Sequence, residues 1–148
     1  MRVVLTAKEI ELGVERLAEH IRNEYGARPL TILAVMTGSV VLLADLIRRL
    51  DMPLRVGVLQ ASSYRGATTT RGELMINMEM TPDVKDRDVL LVDDILDTGH
   101  TLAKIVEKMK AMQPRSVRSV VLLRKHGRQE VEYQPDFAAF EIPDEFVV

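Results

Sequence analysis

The sequence contains no cysteine, no tryptophan and few other aromatic residues. Without cysteine the chain cannot form disulfides, thiolate metal sites or a cysteine nucleophile, and this composition suits a reducing compartment. No apolar run reaches the roughly 18 residues that a membrane-spanning helix needs, and the N-terminus lacks the apolar core of a signal peptide. We therefore expect a cytoplasmic protein.

An excess of charge of either sign is also missing. Twenty basic residues against twenty-two acidic ones give a formal charge of -2, so no overall field attracts nucleic acid or an anionic membrane. Any anion site must therefore be local. The length of 148 residues and the hydrophobic share of 47% predict a single domain spanning residues 1–148.

Strand-like and helix-like patterns alternate along most of the chain. Thr6 and Glu9 have the spacing of a capping box and open a helix that we predict over Ala7–Tyr25. Further helices are predicted in "TGSVVLLADLIRRL" and "GHTLAKIVEKMKAM", and strands in "RPLTILAVM", "LRVGVLQASSY", "ELMINMEM", "DVLLVDD", "VRSVVLLRK" and "DFAAFEI". This order predicts an α/β fold, a mostly parallel central sheet with helices on both faces.

The stretch "VLLVDDILDTGHTL", residues 89–102, carries the strongest chemical signal. If "DVLLV" is a strand, Asp93 and Asp94 fall beyond its carboxyl end, where ligands bind in open parallel sheets. The "LDTGHTL" that follows predicts a phosphate cradle at a helix start, because backbone amides lie free there and threonine hydroxyls add donors. These amides belong to Thr98, Gly99, His100 and Thr101.

Two acids beside a phosphate cradle are explained by a sugar phosphate. Carboxylates accept hydrogen bonds from vicinal hydroxyls or help to hold a divalent cation, while the amides take the phosphate. Ribose 5-phosphate has this polarity. The simpler alternative is that Thr98 or Asp97 only caps a helix and the paired acids are only solvated loop residues, although capping requires neither the doubled acid nor the second threonine.

On these residues the sequence resembles the type I phosphoribosyltransferases, and specifically their hypoxanthine-guanine branch. "VLLVDDILDTGHTL" is similar to the family's phosphoribosyl pyrophosphate signature, and "SSYRG" at residues 62–66 is similar to the start of its mobile loop. "LLRK" and "PDFAAFEIPDEFVV" are similar to its purine-binding C-terminal segment. The resemblance implies the type I fold, with a hood partly formed by the terminal segments. It also implies magnesium-dependent transfer of ribose 5-phosphate from phosphoribosyl pyrophosphate to nitrogen 9 of a 6-oxopurine, a purine salvage reaction that releases pyrophosphate.

The resemblance also implies roles for individual residues. Asp93 and Asp94 would hold the ribose hydroxyls and magnesium, and Asp97, near the purine N7, would be the catalytic proton acceptor. The residues implied in binding phosphoribosyl pyrophosphate are Asp93, Asp94, Asp97, Thr98, Gly99, His100, Thr101, Thr37, Gly38, Ser63 and Tyr64. The residues implied in binding the purine are Lys125 at the 6-oxygen, Phe146 stacked on the ring and the Val147 backbone at the ring edge.

Each of these roles has a plainer alternative when the residue is taken alone. Lys125 could end a strand in solvent, and Phe146 could be a core aromatic residue. The stretch "RGATTTRG", which the resemblance makes a lid over the reaction, could be a simple flexible hairpin. The histidines show no metal-ligand spacing, and we assign His100 only a backbone role.

The sequence departs from the family pattern in two places. In "MTGS" at residues 36–39, the family's pyrophosphate loop, Thr37 stands where lysine is frequent, so one cationic contact is lost. The sequence also ends at Val148, before an acid and an arginine that the family carries further on. The second departure leaves open a truncated or regulatory protein that binds phosphoribosyl pyrophosphate with little catalysis, and xanthine or adenine specificity is a further alternative. Exposed apolar strand ends and family precedent favour a homodimer or homotetramer.

Overall fold

The computed structural model describes residues 4–64 and 73–143. Its three helices are α1 (Ala7–Tyr25), α2 (Val40–Ile47) and α3 (His100–Lys110). Its six strands are β1 (Leu30–Met36), β2 (Leu54–Tyr64), β3 (Glu73–Asn77), β4 (Asp88–Leu96), β5 (Ser116–Lys125) and β6 (Phe137–Ile142). Within these ranges, no helix has the length and apolar character needed to cross a bilayer.

The strands form one sheet in the order β3-β2-β1-β4-β5-β6. Every neighbouring pair is parallel except β2 and β3, which are antiparallel. β1 and the first half of β4 are buried almost without interruption, as expected of central parallel strands that are covered on both faces. The predicted mostly parallel α/β sheet is confirmed.

The helices cover opposite faces of the sheet. On one face α1 and α2 pack against β1 and β4, with Leu17 and Leu46 fully buried beside Ile32. On the other face α3 packs Leu102 and Ile105 into a second cluster. The crossovers after β1 and β4 therefore leave the sheet on opposite sides, and this arrangement opens a crevice between the carboxyl ends of the two strands.

The start of α1 is fixed by the capping box that the sequence predicts. The Glu9 amide donates to Thr6 Oγ1 at 3.1 Å, and the Thr6 amide donates to Glu9 Oε1 at 3.2 Å. The helix ends at Gly26, which has a φ of 59°. Both boundaries agree with the prediction, because each depends on local chemistry.

A buried carboxylate joins β4 to its neighbours at the amino end of the sheet. Asp88 accepts hydrogen bonds from Ser116 Oγ at 2.6 Å and from Arg28 Nε at 3.3 Å. Burial disfavours its ionised form, but the hydrogen bonds and the positive charges of Arg28 and Arg115 outweigh burial and lower the pKa of Asp88. This network lies at the edge opposite the crevice, so its role is structural.

Candidate active site

The paired acids lie where β1 and β4 separate. Pairing of β1 with β4 ends at Ala34 and Val92, whereas β5 continues beside β4 to its last residue, Leu96. The narrower strand "DVLLV", which places Asp93 and Asp94 after its end, is therefore too short, and the predicted strand "DVLLVDD" is closer, because pairing with β5 keeps both acids inside β4. They still lie at the crevice, since β1 no longer covers that edge of the strand.

Asp93 and Asp94 affect each other's charge. Both residues are half-buried, and the Asp94 amide donates to Asp93 Oδ1 at 2.9 Å. Burial, followed by the neighbouring Asp94 carboxyl group, raises the pKa of Asp93 to about 8. Hydroxyl donors or a cation would favour ionisation of both acids, so the pair is suited to either ligand.

The loop after β1 contacts this pair directly. A Cβ atom added at Gly38 would lie 2.4 Å from Asp94 Oδ2, so the backbone of the loop and the carboxylate are in close contact. The buried hydroxyl of Ser39 donates to the Val35 carbonyl and holds the loop against the end of β1. The structure thus brings Gly38 against Asp94 of β4, whereas the adjacent Thr37 lines a separate cavity with Met36 and Asn77.

A cavity of about 240 Å³ joins the acids to the start of α3. It is lined by Asp93, Asp94, Ile95, Leu96, Asp97, Thr98, Gly99, Thr101 and Leu102. The Ala103 amide donates to the Gly99 carbonyl at 3.1 Å, the first hydrogen bond of the helix. The amides that precede Ala103 in α3 therefore have no carbonyl of the same helix to bond. An anion in the cavity would lie beside the positive end of the helix.

Gly99 is the N-cap residue of α3, with a φ of 91°. The alternative in which Thr98 or Asp97 is the N-cap residue is therefore wrong. The Thr98 hydroxyl accepts a long hydrogen bond, 3.5 Å, from the His100 amide. A left-handed glycine lets the chain turn sharply from β4 into the helix, with the backbone exposed toward the ligand.

A segment that sequence reasoning missed holds this loop from the side. We call residues 127–136, between β5 and β6, the strap. The strap amides of Glu130 and Val131 donate to the Thr98 carbonyl at 2.9 and 3.3 Å. Val131 Cγ2 lies 3.0 Å from the position of a Cβ at Gly99. In "HGRQEVEYQP" there is no regular hydrophobic pattern, and the one signal is Gly127, which marks a turn and has a φ of 88°.

The strap also supplies charged partners for the cradle. Arg128 Nε lies 2.8 Å from Asp97 Oδ1, and both side chains are partly exposed. His100 Nε2 lies 3.8 Å from Glu130 Oε1. The expectation that His100 binds ligand only through its backbone stays a prediction, and its imidazole lies beside a strap carboxylate.

Lys125 ends β5 and is only 8% exposed. It pairs with Ile142 of β6 in the sheet. The alternative that it ends a strand in solvent is therefore wrong. A lysine at this degree of burial needs a polar partner for its ammonium group, and a carbonyl oxygen on a bound ring is a suitable one.

Other predicted site residues lie wholly or partly outside the described part of the chain. Phe146 and Val147 lie outside the described residues, and so does the stretch "RGATTTRG" at residues 65–72. The backbones of Ser63 and Tyr64 pair with Leu74 and Glu73 at the end of β2, but their side chains lie outside the described part of the chain. The predicted hood is likewise described only in part.

The family described as "Phosphoribosyl transferase domain" matches residues 3–148. The chain belongs to the phosphoribosyltransferase family. It is 34% identical over 146 residues to the hypoxanthine-guanine phosphoribosyltransferase of Staphylococcus aureus strain Mu50, a match that covers 99% of this chain and 82% of the relative.

Solved phosphoribosyltransferase structures share the fold. A Bacillus anthracis hypoxanthine-guanine phosphoribosyltransferase superposes with a TM-score of 0.91 at 28% identity, covering 99% of this chain and 86% of the other. A Trypanosoma cruzi hypoxanthine phosphoribosyl transferase superposes with a TM-score of 0.89 at 30% identity, covering 99% of this chain and 80% of the other. The type I phosphoribosyltransferase fold implied by the sequence is confirmed.

In this phosphoribosyltransferase, Asp93 and Asp94 can supply only some of the ligands that a magnesium ion needs. Within residues 4–64 and 73–143, no group of three or more acidic or histidine side chains could hold a metal ion. Asp93 and Asp94 nevertheless present two adjacent carboxylates, and ionisation of Asp93 is disfavoured without a counter-charge. Magnesium is commonly bound by one or two carboxylates together with substrate phosphates and water, so the acids fit an ion that arrives with a phosphorylated substrate.

Proposed function

We propose that this phosphoribosyltransferase transfers ribose 5-phosphate from phosphoribosyl pyrophosphate to hypoxanthine or guanine, giving the nucleoside monophosphate and pyrophosphate in purine salvage. The observation that carries the proposal is the cavity that runs from the acids of β4 to the start of α3. Its two ends suit the two ends of a ribose 5-phosphate. The acceptor class is supported by the names of the relatives with which the chain aligns.

The two ends of phosphoribosyl pyrophosphate are held by groups of opposite polarity, hydrogen-bond acceptors at one end and donors at the other. Asp93 and Asp94 accept hydrogen bonds from the ribose hydroxyls, and the amides at the start of α3 bind the 5-phosphate. The backbone at Thr37 and Gly38 binds pyrophosphate beside Asp94, which lies in close contact with Gly38. The reacting carbon of the ribose is thereby placed in the crevice between β1 and β4.

The reaction breaks the bond between ribose C1′ and the pyrophosphate oxygen and forms a bond from C1′ to purine N9. Positive charge develops on the ribose ring, negative charge develops on the pyrophosphate, and the purine loses a proton. Asp97 accepts that proton as a general base, a role that contributes roughly 10²- to 10⁴-fold in enzymes. Asp93 and Asp94 would hold magnesium, which would neutralise charge on the pyrophosphate.

The purine is recognised at the end of β5. The ammonium group of Lys125, a residue that is only 8% exposed, donates to the purine 6-oxygen. Phe146 stacks on the ring, and the Val147 backbone contacts the ring edge. A 6-amino group cannot accept the Lys125 hydrogen bond, so adenine is a poor substrate.

The enzymatic reading is favoured over the binding-only alternative. The relatives that align with 99% of this chain are themselves named as transferases. Asp97 lines the cavity, where a proton acceptor is required, whereas binding phosphoribosyl pyrophosphate does not call for a proton acceptor.

The test is a product assay. Purified protein with magnesium and phosphoribosyl pyrophosphate is offered hypoxanthine, guanine, xanthine and adenine separately, and nucleoside monophosphate is measured. We expect product from hypoxanthine or guanine and little from adenine. The variant Asp94→Asn should lose activity, while Asp45→Asn on the surface of α2 should retain it. Binding of phosphoribosyl pyrophosphate without product from any base would establish the binding-only alternative.

We also propose that the chain forms a homodimer or homotetramer. Exposed apolar side chains support this, among them Val41, which is 71% exposed, and Met75, which is 55% exposed. Light scattering on the purified protein should give a mass at least twice that of the chain, and a monomeric mass would contradict the proposal. A cytoplasmic location stays a prediction.

A further inference from the structure

The strap is anchored on β5 at its C-terminal end. The Asp136 amide donates to the Ser119 carbonyl at 3.0 Å, and the Ser119 amide donates to Asp136 Oδ2 at 2.8 Å. The buried Ser119 hydroxyl is also hydrogen-bonded to Tyr133 Oη. These bonds tie an irregular segment to the sheet, so the strap is a fixed support.

From this support the strap reaches the cradle by backbone and side chain together. The Thr98 carbonyl accepts hydrogen bonds from two consecutive strap amides, Glu130 and Val131. The adjacent Asp97 receives the Arg128 guanidinium at 2.8 Å. The backbone bonds fix the position of the loop, and the ion pair acts on the direction of the Asp97 carboxylate.

The geometry points to Arg128 as a positioning residue that orients the Asp97 carboxylate for proton transfer. The inference rests on the proposed function, in which Asp97 accepts the purine proton. Oδ1 is a buried atom that faces Arg128 as an ion pair, although the contact lacks the geometry of a hydrogen bond, so the carboxylate keeps a second oxygen, Oδ2, with which to take the proton. Without Arg128 the carboxylate rotates about its side-chain bonds, and misplacement of a reacting group by about 1 Å can cost on the order of 10²-fold in rate.

The position of Arg128 in the sequence strengthens the inference. It follows Lys125 by three residues, and both lie on the continuous stretch from the end of β5 into the strap. One segment therefore carries both Lys125, which binds the purine, and Arg128, which orients the Asp97 carboxylate. Because both members of the ion pair are partly exposed, its contribution to stability is small, and its effect is on the reaction rate.

The experiment compares Arg128→Ala and Arg128→Lys with a matched control, Arg48→Ala. Arg48 is also exposed and paired, to Asp45 at 2.6 Å, but it lies at the end of α2 away from the cavity. Steady-state rates are measured with hypoxanthine or guanine, together with the midpoint of thermal unfolding. We expect Arg128→Ala to lower kcat about 10-fold with a change in KM for phosphoribosyl pyrophosphate of less than about 2-fold. The Lys variant should recover part of kcat, and the control should match the wild type.

A second background separates positioning from a structural effect. In Asp97→Asn protein, Arg128→Ala should cause no further loss of kcat beyond about 2-fold, because the group to be oriented is already absent. The inference would be overturned by equal losses of kcat in both backgrounds, by an unchanged kcat in Arg128→Ala, or by a change confined to KM. In each of these cases an active wild type would still uphold the proposed function. A wild type that makes no product from any base would overturn the proposed function and, with it, the catalytic role of Arg128.

Discussion

At the scale of the single residue, Asp97 is the group on which the proposed chemistry depends. Asp97→Asn keeps the size of the side chain but removes its ability to take a proton. We expect kcat to fall roughly 10²-fold or more, while the affinity for phosphoribosyl pyrophosphate stays within about 3-fold. Turnover assays with titration calorimetry on the same protein check both numbers. An unchanged kcat would show that another group accepts the proton.

Gly99 allows a second test at this scale. Its φ of 91° is costly for any other residue, and a Cβ atom there would lie 3.0 Å from Val131 Cγ2. Gly99→Ala should therefore lower the free energy of unfolding by about 1–3 kcal/mol and raise KM for phosphoribosyl pyrophosphate, because the loop must shift away from the strap.

Gly26→Ala is the control for Gly99→Ala. Gly26 also has a positive φ, 59°, but nothing lies within 4 Å of a Cβ atom at that position. It ends α1 at the amino edge of the sheet, remote from the cavity. This variant should lose stability and keep the wild-type KM, and an equal rise in KM for both variants would contradict the role given to Gly99.

At the scale of the elements, Asp88 is the joint between β4, β5 and the loop after α1. Its pKa is lower in the folded state than in the unfolded chain, so its contribution to stability is present above the unfolded pKa, about 4, and is lost as pH falls through the folded pKa. Asp88→Asn should lower the free energy of unfolding at pH 7 by about 1–3 kcal/mol and reduce the loss of stability on acidification below pH ~4.

Denaturant unfolding at pH 7 and at acidic pH measures both effects of Asp88→Asn. Asp45→Asn is a suitable comparison, because Asp45 pairs with an exposed arginine on α2 and such surface pairs contribute about 0–1 kcal/mol. If the two variants showed the same stability at every pH, the buried network would not be the joint described here.

The elements also show which features a sequence can predict. The capping box of α1 and the alternation of strands and helices follow from local patterns, and both are confirmed. The predicted end of β4 is too early, because the last residues of the strand are held by pairing with β5, a contact between distant parts of the chain. The strap was missed because it bonds to the Thr98 carbonyl through backbone amides, and backbone partners leave no mark on residue type.

At the scale of the whole molecule, a ligand that binds only the folded state must raise its thermal stability. Phosphoribosyl pyrophosphate with magnesium at about 100 times its Kd adds roughly 2.7 kcal/mol, which for a chain of this size raises Tm by on the order of 5–10 °C. Thermal scans of the wild type and of Asp94→Asn test this, and the variant should show a much smaller rise. A wild type whose Tm is insensitive to the ligand would contradict the proposed donor site.

The line of pairing between β1 and β4, which we call the seam, has a consequence for how the chain folds. These two strands are neighbours in the sheet, but α2, β2 and β3 separate them along the chain. Their parallel pairing therefore closes a long loop and forms slowly compared with local contacts. Gly38 and Asp94 meet across this seam, so neither half of the chain holds the crevice alone. During refolding, ligand binding should recover with closure of the seam rather than with the earlier appearance of helices.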